Sequence, residues 1–167
     1  LTSAIERSPQ QAAIYSFRGR IRLAQNNLTA ALADFEKANR LEVTPLRRSE
    51  NFQQIGDLHF RAGQLTLALT AYDQSLNENQ DNISSLRQRA ETFLALRRFD
   101  EAERDFTAVL KKGGAIPNIA DVYRGRSIAL TAMKKPREAI NDYTMSLQFE
   151  SAPNMLAQRG WAYLLDA

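Results

Sequence analysis

The sequence of 167 residues contains no cysteine and only one histidine, and these two shortages exclude much familiar site chemistry. Without cysteine there are no disulfides and no thiolate metal ligands. Neither a second histidine nor a cysteine is present to complete a metal site or a nucleophilic triad with His59. His59 lies on a predicted helix, where a packed or half-exposed histidine is more typical than a catalytic one. We therefore expect no enzyme activity, no metal and no cofactor.

Long apolar runs and a strong charge of one sign are also lacking. No apolar run approaches the roughly 18 to 20 residues that span a bilayer, and nothing at the start resembles a signal peptide. We expect no membrane insertion, a cytoplasmic location, and a true N-terminus that lies before this chain. The net charge is only +3. No basic block stands out, so we expect no nucleic acid as the main partner.

What the sequence does contain is a repeated spacing of small and aromatic residues. The alanines Ala31, Ala68, Ala102 and Ala139 recur at intervals of 37, 34 and 37 residues. Four residues later stand Phe35, Tyr72, Phe106 and Tyr143, and twelve residues earlier stand Gly19, Gly56, Ala90 and Ser127. Antiparallel helices approach closely only where small side chains meet, and an aromatic one turn further fills the gap. Three columns in register favour stacked helical hairpins over an ordinary bundle.

Capping and turn residues between these columns predict the helices. The predicted helices cover about 9–24, 28–41, 45–62, 66–77, 81–96, 100–112, 116–133, 136–149 and 153–167, after a helix end in 1–8. Ser8 and Asp81 are expected N-caps, and Gly63 is the expected left-handed residue at a helix C-terminus. Each 37-residue interval holds about one extra helical turn. That excess predicts a lengthened helix after Pro45 and an extra turn or longer loop around Pro117.

The helix pairs resemble the tetratricopeptide repeat family. The match is carried by NFQQIGDLHFRAGQLTLALTAYDQSL and LRQRAETFLALRRFDEAERDFTAVL, with weaker copies in RGRIRLAQNNLTAALADFEKA and RGRSIALTAMKKPREAINDYTMSL. The resemblance implies an all-α solenoid, a right-handed superhelix of helix-turn-helix repeats. It divides the chain into a preceding repeat's end (1–8), four repeats (10–45, 46–80, 81–116 and 117–151) and the first helix of a fifth (152–167). In the fourth repeat Ser127 is the small residue, although Gly125 looks more like the motif.

One departure from the family concerns charge. The residue before the small one is usually apolar, but here it is Arg18, Arg89 or Arg126, and Asp34, Asp105 or Asp142 follows sixteen residues later. Where Ile55 replaces the arginine, Ala71 replaces the acid. Because the two charges appear and vanish together, we predict a structural ion pair between the two helices of one hairpin, in preference to independently solvated charges.

The resemblance also implies a function, since the family's concave face, lined by the first helix of each repeat, commonly receives a peptide. The matching residues here are Ser16, Arg20, Gln53, Asp57, Arg61, Arg87, Glu91, Arg124 and Ile128, with Trp161 in the last half repeat. We expect a non-catalytic protein–protein interaction scaffold. Its mixed charges predict a partner of both signs and binding that weakens with salt. The family's carboxylate clamp is not expected, because Arg20, Asp57 and Glu91 replace its asparagines.

Two other functions stay open on the sequence. The chain is compatible with a spacer or self-association module of a larger multidomain protein, such as a signalling kinase. RNA binding is suggested by Arg18-Gly19-Arg20 and Arg124-Gly125-Arg126. Asp57 and Glu91 interrupt any basic stripe, which makes RNA the weaker alternative. The identity of the protein partner does not follow from the sequence.

Overall fold

The computed structural model describes residues 11–113, 116–149 and 153–166, and these residues form helices joined by short turns. The helices are α1 (Ala12–Ala24), α2 (Leu28–Leu41), α3 (Pro45–Arg61), α4 (Leu65–Glu78), α5 (Ile83–Ala95), α6 (Phe99–Lys112), α7 (Ile119–Ala132), α8 (Pro136–Phe149) and α9 (Pro153–Asp166). No strand occurs in these ranges. The expected all-α class of helical repeats is confirmed.

The chain divides into two compact units, Leu1–Ser85 and Leu86–Ala167. In the first unit α1 packs on α2, α2 on α3, and α3 on α4. In the second unit α6 packs on α7, α7 on α8, and α8 on α9. Within each unit the extensive contacts thus join consecutive helices, as expected where helical hairpins stack on their neighbours.

Two predicted helix starts are wrong. The N-cap of α5 is Asn82 and not Asp81, because the Asn82 Oδ1 accepts a hydrogen bond of 3.0 Å from the Ser85 backbone N–H.

Helix α7 begins at Ile119, since Pro117 and Asn118 form a turn and Asn118 is left-handed with a φ of 55°. The extra residues there form a turn, whereas those after Pro45 lengthen α3 to 17 residues, as predicted. The expected Ser8 cap lies outside the described residues.

Each hairpin turns at a left-handed residue. Asn26, Gly63, Arg97 and Lys134 have φ values of 59°, 73°, 59° and 58°. Gly63 adopts this conformation without a steric cost, and asparagine adopts it more readily than most residues, so only the turns at Arg97 and Lys134 carry little signal in the sequence.

The alanine and aromatic columns form the buried contacts of the hairpins. All eight of these residues are at most 2% exposed. A Cβ added to Gly56 would lie 2.4 Å from the Tyr72 Cε1, so the ring occupies the space that a side chain would need. In the fourth hairpin Ser127 is fully buried, while Gly125 faces Phe106 of α6, whose Cζ would lie 2.3 Å from an added Cβ. Ser127 therefore belongs to the small-residue column, and Gly125 permits the close approach of α7 to α6.

The structure joins each arginine to the aspartate sixteen residues later by two parallel hydrogen bonds. The Nε and Nη2 donate over 2.8 and 2.5 Å in Arg18–Asp34, 2.7 and 2.9 Å in Arg89–Asp105, and 2.6 and 2.7 Å in Arg126–Asp142. All three aspartates are buried. The hydrogen bonds to the aspartates raise the pKa of Arg18 and of Arg126 above the usual arginine value, against the opposing effect of burial.

The second hairpin shows what replaces this pair. Ile55 and Ala71 are both buried and belong to one apolar cluster with Phe35 and Leu58. An apolar pair therefore fills the position that an arginine and an aspartate fill elsewhere. Since a guanidinium–carboxylate pair must first lose its hydration, such an exchange changes stability far less than removing one partner.

We expect Asp105→Ala to lower the free energy of unfolding by about 1.5 to 3 kcal/mol, because it removes the carboxylate that accepts the hydrogen bonds of Arg89. The double variant Arg89→Ile/Asp105→Ala, which copies the Ile55 and Ala71 pair, should lose less than the single variant. Urea unfolding at neutral pH followed by circular dichroism measures both. A double variant that is less stable than Asp105→Ala would contradict this account of the pair.

We expect Gly56→Ala to destabilise the protein by about 1 to 3 kcal/mol, because its methyl group overlaps the buried Tyr72 ring. Gly160→Ala is the matched control, since Gly160 lies in α9 and an added Cβ meets nothing within 4 Å. That control should gain about 0.5 to 1 kcal/mol from helix propensity. The two melting temperatures should therefore move in opposite directions, and a shift of both in the same direction would refute the close-packing argument.

Candidate functional site

An open cleft of about 400 Å³ lies between α1 and α3 in the first unit. Each helix contributes residues spaced three and four apart, which places them on one face of that helix. The α1 residues are Ala13, Ser16, Phe17 and Arg20, the α3 residues are Arg47, Glu50, Asn51, Gln53 and Gln54, and Phe35 and Glu42 complete the lining.

The apolar part of the cleft is aromatic. Phe17 is 56% exposed, which is unusual for so large an apolar side chain, and Phe35 is buried at 1%. Phe35 is fixed by the core of its hairpin, where it packs with Ala31 and Ile55. The cleft thus combines a fixed ring that belongs to the core with an open ring available to a bound molecule.

The polar centre of the cleft is Asn51. Its Oδ1 accepts a hydrogen bond of 2.8 Å from the Ser16 Oγ, which ties α3 to α1. Asn51 is only 4% exposed, and its Nδ2 has no hydrogen-bond partner among the described residues. A buried donor left in this state destabilises a protein unless an acceptor reaches it.

Charges of both signs surround the cleft. The Glu42 Oε1 accepts hydrogen bonds of 3.0 Å from the backbone N–H groups of Val43 and Thr44, and one from the Thr44 hydroxyl. The Thr44 hydroxyl is the main cause of a lowered Glu42 pKa, so this carboxylate is ionised at neutral pH. The Arg47 Nη1 lies 3.9 Å from the Glu42 Oε2. Arg20 is exposed and has no hydrogen-bond or ion-pair partner in the described part of the chain.

In the first unit the structure brings some of the expected binding residues together. Ser16, Arg20 and Gln53 line the cleft. Asp57 does not line it, and its Oδ1 accepts a hydrogen bond of 2.8 Å from the Tyr72 hydroxyl of the same hairpin. Arg61 is exposed in the last turn of α3.

In the second unit the expected residues lie on α5, α7 and α9. The Arg87 Nη1 lies 3.5 Å from the Glu91 Oε1 one turn along α5. Arg124 pairs with Asp121 of its own helix, and Ile128 is half-buried. The role of these residues in binding stays a prediction.

Trp161 differs from the other expected binding residues. It is 67% exposed, and the next residue, Ala162, is fully buried against Leu130 and Tyr143. Ala162 thus occupies in α9 the buried small-residue position that Ser127 occupies in α7. Trp161 stands immediately before Ala162, just as Arg126 stands immediately before Ser127. The structure puts Trp161 in the register of the arginines that face the second helix of a hairpin, and not in the register of Ile128.

Several residues of the cleft were not predicted from the sequence. Phe17, Asn51 and Gln54 stand on the first helices, but at positions that the family resemblance does not assign to binding. The available signal was the three-and-four spacing of polar and exposed residues on α1 and α3. Periodicity of this kind identifies the residues that share one face of a helix, but it does not identify the neighbouring helix that this face contacts.

The arrangement is suited to non-covalent recognition. It offers charges of both signs and an exposed aromatic ring. In 11–113, 116–149 and 153–166, no three His, Asp or Glu side chains lie close enough to hold a metal ion. A search of the same residues finds no helix with the length and apolar character needed to cross a bilayer.

Comparison with known proteins identifies the repeat. A family model of the tetratricopeptide repeat matches residues 1–41 and 87–154, about two thirds of the chain. No curated protein matches the chain significantly. Among solved structures, a MamA fragment from Desulfovibrio magneticus RS-1 is 16% identical, covers 92% of this chain and 84% of its own, and has a TM-score of 0.81.

Two further solved structures are similar. YrrB, described as a TPR protein with an unusual peptide-binding site, is 19% identical over 91% of this chain and 75% of its own, with a TM-score of 0.73. The first TPR of Spaghetti (RPAP3), bound to the HSP90 peptide SRMEEVD, is 20% identical over 71% and 93%, with a TM-score of 0.65. At these identities the likeness concerns the fold. From the family match and the paired helices, we conclude that this chain belongs to the tetratricopeptide repeat family.

Proposed function

We propose that this chain is a non-catalytic interaction scaffold that binds a peptide or protein segment in the cleft between α1 and α3. The observation that carries the proposal is a cleft lined by facing stripes of α1 and α3, on which Phe17, Arg20 and Glu50 are exposed. In the second unit we propose Arg87, Glu91 and Arg124 as further contacts.

The physical basis is a rigid display of side chains. Residues on packed helices are already ordered, so binding costs little conformational entropy on the scaffold's side. A cleft of about 400 Å³ is at the small end of ligand sites, which suits one or two side chains of a longer segment. The remaining affinity would come from contacts along the rest of the segment.

The similar structures support peptide binding as the mode of interaction. YrrB is described as having a peptide-binding site, and the RPAP3 repeat is bound to an HSP90 peptide. The present chain has Arg20, Asp57 and Glu91 where asparagines of the family's carboxylate clamp are expected. We therefore propose an internal or mixed-charge segment as the ligand, and not a chaperone tail held by its terminal carboxylate.

A self-association module is the second candidate, and one observation favours it. Several large apolar side chains of α9 are more than half exposed. They are Leu156, Trp161, Tyr163, Leu164 and Leu165. Exposed apolar surface of this extent is typical of interaction sites. Light scattering after size-exclusion chromatography, over a range of protein concentrations, distinguishes a monomer from a dimer.

We expect peptides selected from a random linear library to bind this chain, and Arg20→Ala to weaken them by about fivefold or more, because an unpaired guanidinium at the cleft is lost. Lys37→Ala is the matched control: it removes the same charge from the same hairpin, but Lys37 lies on α2 and does not line the cleft. Isothermal titration at roughly 0.05 and 0.5 M salt measures both effects.

Binding of the parent chain should weaken as the salt concentration rises, and Lys37→Ala should bind like the parent. Failure to select any peptide, or an equal loss in both variants, would contradict binding in the cleft. Retention on a polyanion resin that RNA competes away would favour the nucleic-acid alternative instead.

A further inference from the structure

We infer that the cleft between α1 and α3 recognises an extended segment in which an arginine and an acidic residue stand two places apart. Glu50 pairs with the arginine, whose guanidinium also lies on the Phe17 ring, and Arg20 pairs with the acid. The inference rests on the proposed function and specifies its ligand, because it fixes the spacing of the two charges and their order along the bound segment.

The first observation is that two of the four charges lining the cleft have no partner. Glu42 and Arg47 approach each other, since the Arg47 Nη1 lies 3.9 Å from the Glu42 Oε2. Arg20 on α1 and Glu50 on α3 are exposed, and neither has a hydrogen-bond or ion-pair partner among the described residues. One wall of the cleft therefore presents a free positive charge, and the other presents a free negative charge.

The two free charges are displaced along the cleft. Helices α1 and α3 run in the same direction, because each is joined to α2 by a short turn and packs on it. The hydrogen bond from the Ser16 Oγ to the Asn51 Oδ1 places these two residues level with each other. Arg20 comes four residues after Ser16, and Glu50 comes one residue before Asn51. The free charges are therefore separated by roughly 7 Å along the helix axes.

This displacement matches the spacing of side chains on an extended segment. Alternate side chains of an extended chain lie on the same side, about 6.5 Å apart. A positive side chain beside Glu50 and a negative one two places along, beside Arg20, therefore pair with both walls at once. Two charges of the same sign at this spacing would leave one of them beside a like charge. The cleft thus favours opposite charges, and for a given chain direction it favours one order of them.

The exposed ring of Phe17 favours arginine as the positive residue. Phe17 follows Ser16 on α1, so its ring borders the cleft near the level of Glu50. A planar guanidinium can lie on an aromatic face and bind a carboxylate at the same time. The compact ammonium of lysine makes both contacts less well.

The same three groups already meet elsewhere in this chain. In the second unit the Arg98 Cζ lies 4.6 Å from the centroid of the Phe93 ring. The Nε of the same guanidinium donates a hydrogen bond of 2.8 Å to the Glu101 Oε1. An arginine held by a phenylalanine and a glutamate is therefore an arrangement that these side chains adopt. In the cleft the phenylalanine and the glutamate are present, and the bound segment supplies the arginine.

The test inverts the two free charges and asks whether the selected order of charges inverts as well. Peptides are selected from the random linear library on the parent chain and on Arg20→Glu/Glu50→Arg, which has the same net charge. We expect the parent to enrich an arginine and an acid two places apart, in one order, by about threefold or more over adjacent placement. The inverted variant should enrich the opposite order at the same spacing.

The double variant Glu36→Lys/Lys37→Glu is the matched control. It also exchanges an acid and a base in the first unit, but both residues belong to α2 and neither lines the cleft. This control should select the same order as the parent. An inverted variant that keeps the order of the parent, or a parent that enriches no opposite charges at this spacing, overturns the inference.

A second measurement tests the contact between Glu50 and the arginine of a selected peptide. By isothermal titration, Glu50→Gln and replacement of the peptide arginine by glutamine should each weaken binding by about threefold to fivefold. The two changes together should weaken it no further, because both remove the same ion pair. Glu36→Gln should leave the affinity unchanged. Losses that simply add would show that Glu50 and the arginine do not pair.

This outcome is separate from that of the proposed function. If Arg20→Ala weakens the selected peptides but Glu50 is not coupled to an arginine of the peptide, the cleft binds peptide and the inferred charge order is wrong. If no peptide is selected at all, both proposals fail.

Discussion

The close contact between a small residue on the first helix of a hairpin and an aromatic ring on the second governs the rest of this structure. Tyr72 occupies the space that a side chain on Gly56 would need, and the other aromatics of the column are as deeply buried. A contact of this kind sets the distance and register of the two helices. With the register set, a residue one place before the small one faces a residue one place before the aromatic.

That facing position explains the arginine–aspartate pairs. The two parallel hydrogen bonds require a planar guanidinium opposite a carboxylate, and the hairpin geometry supplies this arrangement three times. Ile55 and Ala71 show that the position also accepts an apolar pair. A mismatched register would leave a buried charge without its partner, so the charged pair also disfavours other registers of the two helices.

Most helices and their pairing could be predicted because they follow from spacing along the chain. One error lies where two adjacent residues compete for one role, and the other lies at Pro117, which belongs to a turn before α7 and not to its first turn. Asp81 and Asn82 are both good N-caps, and only the hydrogen bond from Ser85 identifies Asn82. Ser127 is the small residue of the fourth hairpin, as predicted, whereas the sequence did not show that Gly125 contacts Phe106 of the neighbouring α6. Sequence spacing within one hairpin contains no information about the helix that stacks on it.

The sequence by itself determined the all-α repeats, the buried columns and the ion pairs, because each depends on residues at constant separation on two joined helices. Only the tertiary structure decided which polar atoms are free. It engages Asp57 with the Tyr72 hydroxyl, leaves the Asn51 Nδ2 without a partner in the described residues, and exposes Phe17 at the cleft that both residues line. The physical reason is that hydrogen-bond satisfaction and solvent exposure depend on which helices stack face to face, and the period of the sequence is the same whichever faces meet.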